Sequence, residues 1–265
     1  MERLLVLRLE ALGCVAEAWL NGVALGRVGP ARQVLTLPVH EYAIAGSNEL
    51  ALHLNPAPPA QGTGEPRPAL SDGQTGASLR LLLPRHGTLA EPGSARTLAE
   101  IAWAPAVQTL YETPLVLSER ADLPLQFPRW RWLDAPVHEL SPTLQQLAAR
   151  YLQGLALHLC RGEFEPFIQA GRLKLEELAQ AYQRDVAQEA ARQLQHLQAL
   201  HARQALAPPL PAAADLLLRP LAGGRLLECL RPDGSPSLQS PRAYGSLCAW
   251  PLRLALIEGH FYVLR

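Results

Sequence analysis

Aromatic and basic side chains alternate in one short stretch of the chain, Arg129-Trp130-Arg131-Trp132. In an extended segment the two tryptophans share one face and the two arginines share the other. If the stretch is exposed, the indole rings suit stacking on a sugar ring, while the arginines can reach hydroxyl or carboxylate groups. If it is buried, the tryptophans complete a core or pack against a second domain. These four residues are the ligand-binding candidates, and both interpretations stay open.

Motifs of catalytic chemistry are missing from the sequence. There is no G-x-S-x-G elbow for a nucleophilic serine, no P-loop and no G-x-G-x-x-G phosphate cradle. His196 and His201 are separated by roughly 140° around a helix and cannot share one metal ion. Glu163 and Glu165 could form a glycosidase carboxylate pair, but nothing else supports hydrolysis. The sequence predicts no catalytic residue, no metal site and no cofactor. It leaves enzymatic activity open, and we expect that the protein is not an enzyme.

Residues 16–26 predict a β-hairpin. The apolar pattern before and after Asn21-Gly22 is typical of half-buried strands. Asn and Gly both tolerate the positive φ that a type I′ turn needs at its two central positions. Gly26 in the second strand predicts a bulge or a close approach of another segment.

Three segments together resemble a known domain: AEAWLNGVALG at 16–26, VLTLP at 34–38 and AGSNELALHL at 45–54. They are similar to the galactose-binding-like β-sandwich, the sugar-binding domain of β-galactosidases, β-glucuronidases and related glycoside hydrolases. The resemblance implies a jelly roll in which Asn21 and Gly22 form a structural turn, with ligands held by loops at one end. In that family the catalytic carboxylates lie in a separate barrel domain, and this chain has no room for one.

The rest of the first half predicts strands around one long loop. Residues 55–77 are rich in Pro and Gly and predict an irregular insertion, either disordered or a ligand-holding loop. Strands are expected again at 78–83, 97–103, 109–111 and 114–117.

From Ser141 onward the pattern changes to helices. Ser141-Pro142 is a capping hydroxyl followed by proline at the first helical position, and the helix is expected to end near Gly162. A long helix is predicted over 173–204. Four strand-like runs then follow, at 215–219, 225–230, 243–251 and 252–264. The predicted fold is a two-domain chain, with an all-β jelly-roll sandwich over 1–137 and an α+β domain of two to three helices on an antiparallel sheet over 138–265.

The junction ALHLCRGEFEPFIQAG at 156–171 resembles the corner between the first two helices of the NTF2-like (cystatin-like) family. That resemblance implies a pocket between helices and sheet, open at one end, able to host isomerase or hydrolase chemistry. The polar residues to inspect in such a pocket are Tyr151, His158, Tyr182 and Tyr244.

Composition narrows the possible partners. The formal net charge is +0, so the basic surface of a nucleic-acid binder is not expected. Four widely spaced cysteines are typical of reduced thiols rather than a disulfide framework, and neither a signal peptide nor a membrane span is apparent. Lys174 is the sole lysine, which indicates the coding bias of a GC-rich bacterial genome rather than a phosphate-binding device. We expect a cytoplasmic protein.

The sequence thus predicts a non-catalytic binding protein. Its partner would be another protein or a carbohydrate, bound through the β-sandwich and the surface between the domains, with the balance toward a protein. The alternative is a small-molecule isomerase or hydrolase that uses a pocket in the C-terminal domain.

Overall fold

The computed structural model describes residues 4–56, 65–85, 90–123, 127–243 and 246–265. The chain divides into two compact units, which we call the N-terminal unit (Met1–Arg129) and the C-terminal unit (Trp130–Arg265). The sequence-based division at 137/138 stays a prediction beside this one. Across the described residues the architecture is mixed, with sixteen strands in antiparallel sheets and four helices, all four in the C-terminal unit.

Ten strands build the described part of the N-terminal unit. They are β1 Val6–Leu12, β2 Ala16–Leu20, β3 Val23–Val28, β4 Val34–Pro38, β5 Gly46–Leu54, β6 Arg67–Leu70, β7 Gly76–Pro84, β8 Ala95–Trp103, β9 Leu110–Thr113 and β10 Leu115–Leu123. Two four-stranded antiparallel sheets have the orders β4-β1-β7-β8 and β10-β5-β2-β3, and β6 pairs with β9 in a separate ribbon. One buried cluster takes side chains from both larger sheets, because alternate residues of each strand face inward.

The predicted hairpin is confirmed. Asn21 and Gly22 both have positive φ, 51° and 73°, as a type I′ turn requires. The β2–β3 register shifts between Ala18 and Trp19, opposite the Ala24–Gly26 segment, which is the predicted bulge. Gly26 is also a close approach, since a Cβ there would lie 2.4 Å from Cδ2 of Leu35.

Asn48 joins the hairpin to the later Gly-Ser-Asn segment. Its Nδ2 donates to the carbonyl oxygens of Ile44 and Gly46, both at 2.9 Å. Its Oδ1 accepts from the Ile44 amide and from Nδ2 of Asn21, both at 2.8 Å. Asn48 is 0% exposed, so its amide replaces the hydrogen bonds to water that burial removes. The two sequence segments belong to one sheet, because β2 pairs with both β3 and β5.

The predicted irregular stretch at 55–77 is partly wrong. Arg67–Leu70 forms β6, paired with β9 so that Leu70 lies opposite Leu110, and β7 already begins at Gly76. Pro68 argues against a strand in the sequence, because proline cannot donate a backbone hydrogen bond to a neighbouring strand and is tolerated only at the edge of a sheet. Residues 57–64 of the predicted loop lie outside the described residues.

The helices of the C-terminal unit are α1 Pro142–Arg161, α2 Glu165–Ala170, α3 Arg172–Tyr182 and α4 Val186–Ala202. The predicted start of α1 is confirmed, since Oγ of Ser141 accepts from the Leu144 amide, and Gly162 ends the helix at φ 75°. The single helix predicted over 173–204 is wrong. Gln183 turns left-handed at φ 51°, and the Asp185 side chain accepts from the Gln188 amide to begin α4.

Six strands follow: β11 Leu217–Leu221, β12 Leu226–Leu230, β13 Leu238–Ala243, β14 Ser246–Trp250, β15 Arg253–Ile257 and β16 His260–Val263. The sheet order is β11-β12-β15-β16, and β13 pairs with β14 as a separate ribbon. β13 is not among the four strand-like runs predicted from the sequence. A second buried cluster joins α1, α2 and α4 to strands of this unit.

Candidate functional site

The two candidate tryptophans are buried. Trp130 is 0% exposed and Trp132 is 2% exposed, and the latter lies in a 3₁₀ turn at Arg131–Leu133 rather than in an extended segment. The Arg265 guanidinium carbon lies 5.6 Å from the centroid of the Trp130 ring. Neither indole face is open to a sugar ring, so the sugar-stacking interpretation of this pair is corrected to a packing role.

The arginines of the same stretch lie at the surface. Arg129 is exposed, and Arg131 is exposed with its guanidinium donating to Oε2 of Glu176 at 2.7 Å. Glu177 is buried, accepts from the Arg131 amide at 2.6 Å and pairs with the guanidinium of Arg265. The geometry is that of a buried ion pair that fixes the start of the C-terminal unit, since both charges are balanced within it.

The described polar candidates for an enzymatic pocket have different neighbours. Nδ1 of His158 lies 2.6 Å from Oε2 of Glu163 at the surface. Tyr182 is buried, and the guanidinium carbon of Arg184 lies 5.3 Å from the centroid of the Tyr182 ring. Tyr151 packs on Phe261 with ring centroids 5.5 Å apart. Tyr244 lies outside the described residues.

Tyr151 has an unusual environment. Its hydroxyl oxygen is buried with no hydrogen-bond partner among the described residues. Burial, and secondly the nearby Cys229, raise the pKa of Tyr151 to about 12. Burial also raises the pKa of the Cys229 thiol, with a smaller contribution from Glu228. Both groups stay protonated at neutral pH, so neither is poised for acid–base chemistry there.

A cavity of about 250 Å³ lies among the helices and strands of the C-terminal unit. We call it the C-terminal cavity. Its wall is mostly aliphatic and aromatic, and the Phe167 and Trp250 rings meet edge to face with centroids 6.1 Å apart. The lining residues are Phe167, Gly171, Lys174, Leu175, Leu178, Gln193, Ala249, Trp250, Pro251, Leu252 and Val263.

A wider and more polar cavity, of about 400 Å³, lies where the chain enters and leaves the strands of the same unit. Three prolines form part of its wall, Pro209, Pro211 and Pro232, and charged residues of both signs line it as well. Ser237 also lines it, and its hydroxyl is buried with no hydrogen-bond partner among the described residues.

The N-terminal unit presents an exposed apolar surface on its two-stranded ribbon. Leu70, Val107 and Leu110 are 64%, 66% and 69% exposed. Leu70 and Leu110 are register partners in β6 and β9, so their side chains leave the same face of the ribbon. Val107 lies over Gly73, since a Cβ added to Gly73 would lie 2.4 Å from Cγ2 of Val107. We call these three residues the ribbon patch.

Within the described ranges there is neither a cluster of metal ligands nor a helix able to cross a membrane. No group of three or more His, Cys, Asp or Glu side chains is arranged to hold a metal ion there. No described helix is both long and apolar enough to cross a membrane.

Sequence reasoning missed both the C-terminal cavity and the ribbon patch. Leu175 and Leu178 lie within the helix predicted over 173–204, and the sequence singles out Lys174 only as the sole lysine. Leu70 fell in the stretch interpreted as irregular. The sequence carries one feature that could have indicated the cavity, the isolated Lys174. It becomes informative only with the knowledge that Trp250 lines the same cavity.

Comparisons with known proteins give this chain no relative. No protein-family model matches it, and neither the curated proteins nor the solved structures contain a match.

Proposed function

We propose that the chain is a non-catalytic binding protein whose N-terminal unit docks a protein partner through the ribbon patch. The unit would be a jelly roll of the galactose-binding-like kind. Support for that fold comes from two four-stranded antiparallel sheets around one core, with the Asn21-Gly22 hairpin and the Asn48 segment in the same sheet.

The observation that carries the proposal is the exposure of the ribbon patch. Three large apolar side chains are each more than three-fifths in solvent, two of them as register partners in the ribbon and the third, Val107, over Gly73 just beyond it. Exposed apolar surface is unfavourable in water, and contiguous patches on soluble domains mark interaction sites. A partner that covers the patch would gain the free energy of removing these side chains from water.

The patch is also held in a fixed shape. The Ser71 amide donates to the Thr109 carbonyl at 2.9 Å, and the Gln108 amide donates to the Ser71 carbonyl at 2.8 Å. Oγ of Ser71 accepts from the Gly73 amide at 3.1 Å. Because these bonds order the loop before any partner arrives, docking would cost little conformational entropy.

A carbohydrate ligand and an enzymatic role gain less support. The tryptophans that would stack a sugar are buried, and the described residues lining the C-terminal cavity include no His, Asp or Glu to act as acid or base. A cytoplasmic location belongs to the same proposal, since all four cysteines are free thiols, as a reducing compartment keeps them.

Quantitative affinity purification from the source cells tests the proposal. The double variant Leu70→Ser/Leu110→Ser should lose a protein that the wild type captures, while Leu12→Ser, exposed elsewhere in the N-terminal unit, should keep it. Titration of that protein in purified form should then show binding weakened about tenfold or more by the double variant. Equal capture by all three chains, or a wild-type homodimer that the double variant dissolves, would contradict a docked partner.

A further inference from the structure

We propose that residues 207–212 form a second docking surface, a polyproline-II ridge that a partner protein grips in a groove lined by aromatic side chains. The segment reads Ala-Pro-Pro-Leu-Pro-Ala, and we call it the proline ridge. It lies in the C-terminal unit, whereas the ribbon patch lies in the N-terminal unit. The two surfaces share no residue, so this proposal does not depend on the ribbon patch.

The backbone of the proline ridge is restricted by its own residues. Proline fixes φ at about −65°, and the residue before a proline is kept out of the helical region. Three prolines among six residues therefore favour the polyproline-II conformation along the whole segment. In the structure, residues 205–212 belong to no helix or strand, and Ala212 has φ −76° and ψ 149°. These angles are those of a polyproline-II helix.

Burial along the proline ridge repeats at every third residue, as the three-fold polyproline-II helix requires. Pro208 is buried and Pro211 is half-buried, while the other four residues are exposed. One edge of the ridge therefore packs on the C-terminal unit. The edge that carries Pro209 and the edge that carries Leu210, which is 53% exposed, face solvent.

Hydrogen bonds hold the proline ridge to the unit near both of its ends. The Ala207 amide donates to Oγ of Ser240 at 3.0 Å. The Pro211 carbonyl oxygen accepts from Nε2 of Gln153 at 2.9 Å. Because the ends are fixed and the prolines restrict the backbone between them, docking would cost the ridge little conformational entropy.

The exposed edges of the proline ridge define the chemistry of the partner. Extended proline-rich segments dock in grooves lined by aromatic side chains, which contact the proline rings and the apolar side chains between them. The Pro209 and Leu210 carbonyl oxygens accept no hydrogen bond from the described part of the chain. A tryptophan or tyrosine of the groove can therefore donate its N–H or O–H to them.

The wider cavity of the C-terminal unit lies beside the proline ridge. Its lining includes Pro209, Leu210 and Pro211 of the ridge together with Arg231 and Pro232. An apolar cavity of about 150 Å³ accommodates benzene. This one, of about 400 Å³, has room for the larger side chain of a tyrosine or tryptophan. An aromatic side chain of the partner that enters the cavity would contact the ridge and could accept a cation–π contact from Arg231.

Biolayer interferometry of the full chain tests the assignment with three purified domains that have aromatic-lined grooves: an SH3, a WW and an EVH1 domain. We expect saturable one-to-one binding to at least one of them. The double variant Pro209→Ala/Leu210→Ala should weaken that binding about tenfold or more, since it removes side chains from both solvent-facing edges. Leu147→Ala changes a leucine of the same unit that is 44% exposed and lies outside the ridge, and it should leave binding unchanged.

Two further variants separate contact from folding and from the other docking surface. Leu210→Ala alone keeps all three prolines, so it should retain the wild-type unfolding transition and still weaken binding by about threefold. Leu70→Ser/Leu110→Ser, in the ribbon patch, should bind these domains as the wild type does. Absence of binding to all three domains, undiminished binding by the ridge variants, or an equal loss in Leu147→Ala would overturn the proposal.

Discussion

The two units treat their buried polar groups differently. In the N-terminal unit the buried Asn48 amide makes hydrogen bonds with both its nitrogen and its oxygen. In the C-terminal unit, by contrast, several buried polar atoms have no hydrogen-bond partner among the described residues. They include atoms of Trp132, Tyr151, Ser237 and Gln239.

The difference indicates where ligands can bind. A closed core with satisfied polar groups leaves only its surface for recognition, and the ribbon patch is such a surface. A unit that retains cavities and unpaired polar atoms can take a ligand inside, because a bound molecule supplies contacts that the fold does not. The stability of each unit should therefore depend on its buried polar groups to a different extent.

The largest effect is expected at the buried ion pair of the C-terminal unit. Glu177→Ala leaves the Arg265 guanidinium buried without its carboxylate, which we expect to destabilise the unit by about 3–5 kcal/mol. The neighbouring Glu176→Ala, which removes surface ion pairs with Arg131 and Arg172, should cost less than about 1 kcal/mol. Urea unfolding followed by circular dichroism measures both, and equal losses would mean that Glu177 is not the structural anchor.

In the N-terminal unit we expect the largest loss from Asn48→Ala. Removing the amide leaves the Ile44 amide and carbonyl and the Gly46 carbonyl without their partner, at a cost of about 2–4 kcal/mol. The adjacent exposed Glu49→Ala should change stability by no more than about 0.5 kcal/mol. Thermal unfolding of the two variants distinguishes them. A small loss for Asn48→Ala would show that the Asn48 bonds do not hold the sheet.

A smaller effect, of opposite character, is expected at Tyr151. Because its hydroxyl has no hydrogen-bond partner among the described residues, Tyr151→Phe should be neutral or slightly stabilising near pH 7.

The pH dependence of the same residue has a definite sign. Its pKa is raised from 10.0 to about 12 in the folded state, so the unfolded chain loses this proton first. Stability from this group is complete below pH 10 and falls as the pH rises toward 12, by about 1 kcal/mol at pH 11. Urea titrations at pH 9 and 11 should show that loss in the wild type relative to Tyr151→Phe. Parallel losses in both chains would contradict the burial of the hydroxyl.

Local chemistry allowed the sequence to predict the first hairpin of the N-terminal unit and the first helix of the C-terminal unit. Asn21-Gly22 can adopt the turn without strain, and Ser141 with Gly162 defines both ends of α1, so these features need no knowledge of distant residues. The break at Gln183 was missed because a non-glycine residue in the left-handed region gives no sequence signal.

Tertiary contacts decided the features that the sequence could not predict. The Trp130 ring packs beneath the guanidinium of Arg265, which is separated from it by almost the whole sequence of the unit. The C-terminal cavity brings Lys174 and Trp250 together across 76 positions of sequence (250 − 174). No periodicity reports such a pairing, because periodicity shows which face is apolar and not what packs against it.

Photo-cross-linking from the ribbon patch tests the central claim most directly. A photoreactive phenylalanine analogue in place of Leu110, irradiated in the source cells, should give one discrete adduct with another protein. Adding Leu70→Ser should reduce that adduct by about fivefold or more, since the two side chains share one face. The analogue placed at position 12 should not give it. Uncross-linked chain alone, or the same adducts from position 12, would contradict a binding role for this surface.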